Sequence, residues 1–240
     1  MEKNIRRVFS LICILLILFA GAAAVVYSVK PGWFSKIKSV LLNSDTRVVI
    51  QTDESFPYRQ SGEALTQIVS ARFPLEEAYE PDDLTNLYEH KDRSFELARS
   101  DIELRQPAYE AAQAMFAAAK EDGVADFIIS SGYRTRDRQA ELYEQSDTGY
   151  VNAPGESEHE YGLTFDVTTR TDKPSFDQTP QFAWLSEHCW EYGFILRYPE
   201  DKEMLTGVPY ESWHYRYVGA DAALEMHQNN WCLEEYAAYQ

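Results

Sequence analysis

Apolar and polar positions change their spacing along this chain, and each change marks an element. Residues 8–27, "VFSLICILLILFAGAAAVVY", carry no charge. At about 1.5 Å per residue a helix of that length spans roughly 30 Å, the thickness of a bilayer's hydrocarbon core, so the pattern predicts a membrane segment. A signal peptide is the competing reading, because "AGAAA" supplies the small residues that cleavage needs. The apolar run is longer than the usual h-region of about 7 to 15 residues, which favours a retained anchor. Lys3, Arg6 and Arg7 precede the segment, and Lys30, Lys36 and Lys38 follow it. A short basic tail ahead of a large domain predicts residues 1–7 inside the cell, residues 8–27 across the membrane and the bulk of the chain outside the cytoplasm. Residues 28–65, polar and turn-rich after "PGWFSKIKSVLLNSD", read as a membrane-proximal stalk.

From residue 66 the texture becomes that of a folded domain running to 240. "TQIVSARFP" reads as a short strand and "EPDDLTNLY" as a turn entering a helical turn. "RQPAYEAAQAMFAAAKEDG" is rich in helix formers, with Pro107 near its start and Gly123 just past its end, the expected helix punctuation. "ADFIISSGYR" reads as a buried strand entering a glycine turn, and "TRDRQAELYEQS" as a helix capped by Thr135. In "GLTFDVTT" the alternation puts Leu163, Phe165 and Val167 on one face and Thr164, Asp166 and Thr168 on the other. "PQFAWLSEHCWEYG" predicts a helix closed by Gly193, "FILRYP" and "WHYRYVG" two strands, and "ADAALEMHQ" and "LEEYAAY" closing helices. Short helices mixed with short alternating strands, without regular βαβ repetition, predict an α+β fold with a small, mainly antiparallel sheet flanked by helices.

Charge narrows the partners. The formal net charge of −17 makes nucleic acid a poor partner, and an anionic ligand must be captured by local groups. Cys13 falls in the apolar segment. Cys189 and Cys232, 43 positions apart, are compatible with pairing in an oxidising compartment but make no disulfide framework. The sequence leaves the oligomeric state open.

Among five histidines, His159 stands before the alternating run and His214 inside "ESWHYRYVG". With Asp166 they form a nitrogen and oxygen donor set suited to zinc, which in catalytic sites takes three protein ligands and keeps a position for water. Singly, each has a plain structural explanation: a hydrogen-bonded surface histidine, a solvated aspartate on a polar sheet face. Glu211, three residues before His214, would point to the opposite face if the strand were regular from 211. It is therefore expected on the bend before the strand, where it can turn toward the same pocket as a proton acceptor. His90, His188 and His227 have no ligand partner at useful spacing. Trp213 and Tyr133 read as pocket walls or as core, with core the default.

The strings "SGYRT", "SEHEYGLTFD", "GFILRYP", "TGVPYESWHYRYVG" and "CLEEY" resemble, in order and spacing, the VanY-like D-alanyl-D-alanine carboxypeptidases, zinc peptidases of the wider group that holds the D,D-dipeptidases and the hedgehog-type domains. The resemblance covers about residues 66–240. It implies His159, Asp166 and His214 as zinc ligands, Glu211 as general base and acid, and Arg134 as the cation facing the scissile amide or the substrate carboxylate. More weakly, it implies Ser157 and Gln139 as substrate contacts. The implied reaction is removal of the terminal D-alanine from peptidoglycan stem peptides ending in D-Ala-D-Ala, the vancomycin target. Leu163-Thr164-Phe165 departs from the smaller apolar residues frequent in relatives, which bears on pocket shape.

Alternatives stay open at this point. L,D-carboxypeptidase or endopeptidase specificity belongs to the same group, and a zinc-stabilised wall-binding module would need no base such as Glu211. A serine peptidase is disfavoured: "SKIK" (35–38) matches serine-x-x-lysine beside the membrane without a lysine-threonine-glycine partner, and "GESEH" lacks the final glycine of a nucleophile elbow.

Overall fold

The computed structural model describes residues 65–146, 151–170 and 175–239. The anchor expected over 8–27, the stalk up to residue 64 and the "SKIK" serine lie outside them. Among the described residues no helix is long and apolar enough to cross a membrane.

The elements follow in the order β1 (Leu84–Asn86), α1 (Leu87–His90), β2 (Glu96–Leu97), β3 (Glu103–Arg105), α2 (Gln106–Glu121), β4 (Ile128–Ser131), α3 (Arg136–Gln145), β5 (Thr164–Thr168), α4 (Pro180–His188), β6 (Phe194–Leu196), α5 (Glu203–Thr206), β7 (His214–Tyr217), α6 (Ala220–Asn229) and α7 (Leu233–Tyr239). β1 and β3 form a two-stranded antiparallel pair, and the other strands make one sheet in the order β2-β4-β5-β7-β6. All its pairings are antiparallel except β2 with β4. The α+β expectation therefore holds, with one parallel edge. The strand expected in "TQIVSARFP" does not form: Ser70 and Phe73 make a single isolated bridge, while Ile68 and Val69 are buried by packing.

α2 is the main helix against the sheet. Its buried stripe, Ala108, Tyr109, Ala112, Met115, Phe116 and Ala119, recurs with helical spacing. Phe116 meets Phe127 at 4.8 Å and Phe165 at 5.7 Å between ring centroids. Phe165 in turn stacks on Tyr215 across the β5–β7 pair and meets Phe194 edge-on. Each such ring contributes about 1.5–3 kcal/mol by leaving water. α3 starts where Thr135 accepts the Arg138 N–H on its hydroxyl, and the α4 run continues as a 3-10 turn over Cys189–Tyr192 before Gly193 ends it at φ +80°. Cys189 and Cys232 are buried and unpaired.

With Phe165 and Tyr215 committed to the core, period two sends Thr164 and Asp166 of β5, and His214 and Arg216 of β7, to the opposite face of the sheet. The register pairs Asp166 with His214 and Thr164 with Arg216. Across that polar face lies the turn Glu158–Tyr161, ended by Gly162 in the left-handed conformation at φ +79°.

Candidate metal centre and its cleft

Directly opposed antiparallel residues hold their Cβ atoms about 5 Å apart, so the β5–β7 register alone brings Asp166 to His214. His214 Nδ1 lies 3.2 Å from Asp166 Oδ1, and His159 Nε2, arriving from the turn above, lies 3.3 Å from Asp166 Oδ2. The two imidazoles meet at 83° with centroids 5.2 Å apart. One donor atom from each of the three residues fits within 4.8 Å of the others, a grouping sized for one ion.

The backbone of "SGYR" fixes His159. Its Nδ1 faces the Gly132 carbonyl at 2.8 Å, and a carbonyl can only accept, so the hydrogen belongs on Nδ1 and Nε2 presents its lone pair to the site. The Arg134 N–H donates to the His159 carbonyl at 3.1 Å, and the Tyr133 N–H to that of Glu103 at 2.7 Å. Glu211 stands on the bend before β7, with Oε2 3.3 Å from His214 Nδ1 and its N–H donated to the Tyr198 carbonyl. It reaches the same pocket from outside the strand, as expected.

These groups suit a cation. Asp166 Oδ1 is buried without a hydrogen-bond partner among the described residues, the state of an oxygen that a metal would complete. Burial pushes the Asp166 carboxyl up, but His159 and His214 outweigh it and hold it well below the usual carboxylate range. For His214 burial disfavours charge, yet the Asp166 and Glu158 carboxylates, with Glu211, raise its pKa to about 9: the surroundings call for positive charge. His159 is lowered, by burial and by Arg134 and His214. Glu211 is raised, first by burial and then by Asp166 and Glu158, the direction that makes a carboxylate a better proton acceptor. Two imidazoles and a carboxylate are a donor set for zinc in an open catalytic site.

The cleft beside the three residues is lined by Arg134, Gln139, Ser157, Glu211 and Trp213, among others. Arg134 forms no ion pair among the described residues: its guanidinium donates to Gln139 Oε1 at 2.6 Å and to Ser131 Oγ at 3.3 Å. Gln139 is buried, and its amide nitrogen donates to the Asn152 carbonyl at 2.6 Å, so both ends of the side chain are engaged within the protein. Ser157 is buried at the cleft wall. Trp213 departs from the core default: it is 42% exposed at the cleft. Leu163 and Phe165 point into the core, away from the cleft, so the departure at 163–165 reaches the site only through Thr164. His188 faces Glu191 and His227 stacks on Trp190, both away from the metal residues.

One site residue escaped sequence reasoning. Glu158, between Ser157 and His159, is completely buried. Its Oε1 receives Arg197 Nε at 2.7 Å and faces Arg216 Nη1 at 2.9 Å; its Oε2 accepts from the Thr164 hydroxyl at 3.3 Å and lies 3.6 Å from His214 Nε2. Burial alone would raise its pKa, but the two guanidiniums hold it well below the carboxylate range. The available signal was the pair of arginines, Arg197 and Arg216, inside otherwise apolar strand patterns.

Comparison with known proteins gives this geometry a family. The profile of the VanY family, described as D-alanyl-D-alanine carboxypeptidase, matches residues 101–220. A D-alanyl-D-alanine carboxypeptidase of Enterococcus faecium is 38% identical over 174 residues, covering 72% of this chain and 57% of that enzyme, so the match spans little more than half of the relative's length. Among solved structures, the LdcB LD-carboxypeptidase superposes with a TM-score of 0.63 at 36% identity, over 70% of this chain and 83% of its own. VanYB in complex with D-alanine-D-alanine superposes at 0.58 and 32% identity, over 71% of this chain and 96% of its own. The chain belongs to the VanY D-alanyl-D-alanine carboxypeptidase family.

Proposed function

We propose that the chain is a zinc-dependent D,D-carboxypeptidase that removes the terminal D-alanine from peptidoglycan stem peptides ending in D-Ala-D-Ala. The observation that carries this reading is the convergence of His159, Asp166 and His214 on one ion-sized point, with the Glu211 carboxylate beside them in the cleft. His159 through Nε2, Asp166 through its carboxylate and His214 through Nδ1 would hold the zinc. When bound, the ion supplies Lewis acidity, polarising the scissile carbonyl and making a water easier to deprotonate. Glu211 takes that water's proton and returns it to the leaving amine; its raised pKa fits both transfers. Arg134, anchored by Gln139 and Ser131, presents positive charge to the oxyanion or to the substrate carboxylate. Ser157 sits on the substrate side of the cleft, and Gln139 serves by fixing Arg134. The uncharged stretch 8–27 holds the enzyme in the membrane with its catalytic domain outside, where stem peptides are found. Trimming D-Ala-D-Ala ends there would remove the vancomycin target or mature the wall.

The likeness to LdcB favours a second reading, L,D-carboxypeptidase activity on tetrapeptides, with the same metal residues and base. One assay separates the two. The full chain is incubated with a stem pentapeptide or a tetrapeptide, with and without chelator, and the released amino acid is identified by mass. D-alanine released from the pentapeptide, and lost with chelator, is expected. Cleavage of the tetrapeptide alone would move the enzyme to the L,D class, and release that survives chelation would remove zinc from the reaction.

A further inference from the structure

His214 has two ring nitrogens, and the metal reading uses one. Nδ1 faces Asp166 and Glu211, while Nε2 is buried on the far side of the ring with no hydrogen-bond partner among the described residues. The carboxylate it faces is Glu158, whose Oε2 lies 3.6 Å away. The geometry of Glu158 divides its oxygens. Oε1 is taken by Arg197 and Arg216, leaving Oε2 to Thr164 and His214. Arg197 is itself held by a two-pronged pair with Glu234, at 3.0 and 2.6 Å, so the cation that grips Glu158 has little freedom.

Such a carboxylate is fixed in place. Set among two guanidiniums and a hydroxyl, it is buried in the cleft wall beside the His214 imidazole. Nδ1 also faces carboxylates, Asp166 and Glu211, but an ion there would take its lone pair and offset their charge, which leaves the ring hydrogen to Nε2, where Glu158 offers an acceptor. We propose that Glu158 is a positioning residue for the metal centre: it holds His214 in the Nε2–H tautomer and so directs the Nδ1 lone pair at the ion. The proposal rests on the reading of His159, Asp166 and His214 as zinc ligands. It makes the two histidines mirror cases, His159 oriented through Nδ1 by a backbone carbonyl and His214 through Nε2 by a buried carboxylate. Partners of this kind commonly tune metal affinity by roughly 10- to 100-fold.

The test measures zinc affinity of the full chain by competition with a fluorescent chelator, for the wild type and for E158Q, H214A and D83N. D83N takes the carboxylate from another largely buried arginine, Arg105, which packs on Tyr161 at the far end of the His159 turn and hydrogen-bonds none of the three metal residues, and so reports what loss of a buried charge nearby does without touching His214. E158Q is expected to bind about 10- to 100-fold more weakly than the wild type, and D83N within about threefold of it. Affinity of E158Q within about threefold of the wild type, with H214A defective, overturns the role of Glu158 alone. A wild type that binds no zinc, or an H214A variant that binds like it, overturns the ligand reading and the role of Glu158 with it. Because E158Q leaves two buried arginines short of a partner and can fail to fold, a second measurement needs no variant: long-range proton–nitrogen NMR of the zinc-bound wild type. The hydrogen is expected on His214 Nε2, with a proton shift moved downfield by the Glu158 carboxylate; a hydrogen on Nδ1 overturns the ligand reading and the proposal with it, and an Nε2–H at the shift of a solvent-bonded imidazole overturns the role of Glu158 alone.

Discussion

Arg134 shows how much a single side chain can be asked to do. Burial lowers its pKa, yet guanidinium remains charged at any working pH, and no carboxylate pairs with it among the described residues. Gln139 and Ser131 take part of its donor set, and the rest faces the cleft. A cation held beside the metal residues is worth most when negative charge develops on the substrate. Removal of such a donor commonly costs about 3–4 kcal/mol of transition-state stabilisation. R134A is therefore expected to fold, to retain zinc by elemental analysis and to lose at least about a hundredfold in turnover. Near-normal kcat with full metal would take Arg134 out of the chemistry. The substitution also strands the buried Gln139 oxygen, so a modest stability loss of about 1–3 kcal/mol should accompany it. At this scale the grouping of His159, Asp166 and His214 was legible through the family resemblance of the strings that hold them, and Glu211 and Arg134 line the same cleft. Glu158 was not legible, because a glutamate in "GESEHEYG" reads as solvated, and what buries it are two arginines from β7 and the end of β6, far along the chain.

Elements deliver these residues through backbone contacts that side-chain patterns do not reveal. β4 ends at Ser131, which the strand pair β4–β5 sets opposite Asp166, and the carbonyl of Gly132 just beyond it accepts from His159 Nδ1. A Cβ built on Gly132 would stand 2.4 Å from the Glu103 carbonyl oxygen and 2.9 Å from Ile102 Cγ2, so β3 and the "SGYR" turn approach too closely for any side chain there. Since the obstacle is backbone, it cannot swing aside. G132A is expected to cost about 1–3 kcal/mol in urea unfolding with an unchanged m-value, and to weaken zinc binding because the carbonyl that orients His159 moves. G123A is the comparison: that glycine has φ +84° and open space within 4 Å of where a Cβ would stand, so it should lose stability and keep the metal. If G132A keeps wild-type zinc affinity while losing stability, the turn is only a packing contact. Long periodic helices such as α2 and the alternating β5 could be read from sequence because their signal is local. β2 and β3, two and three residues long, could not, since their pairing partners are distant in the chain. "TQIVSARFP" failed for the converse reason: its apolar residues serve tertiary packing, and only one bridge forms.

At the scale of the whole molecule, the metal centre joins parts of the chain that secondary structure alone leaves independent. His159 comes from a turn, Asp166 from a central strand, and His214 from the neighbouring strand after a long intervening stretch that includes α4, β6 and α5. Behind them Glu158, Arg197 and Glu234 run from that turn to the closing helix α7, and Lys202 pairs with Glu235 beside it. An unfolded chain presents these three ligands only at random separations, so zinc binds the native state almost exclusively and stabilises it by the logarithm of its saturation. At free zinc about a thousandfold above Kd the gain is about 4 kcal/mol, which for a domain of this size corresponds to roughly 8–16 °C in Tm. Chelation is therefore expected to lower the Tm of the wild-type chain by that order, and re-addition of zinc to restore it. H214A should start near the chelated value and be indifferent to chelator, because the site that couples the three segments is already broken. A wild-type Tm that ignores chelator would mean that the two imidazoles and Asp166 are held together by the fold and its buried ion pairs without help from a metal.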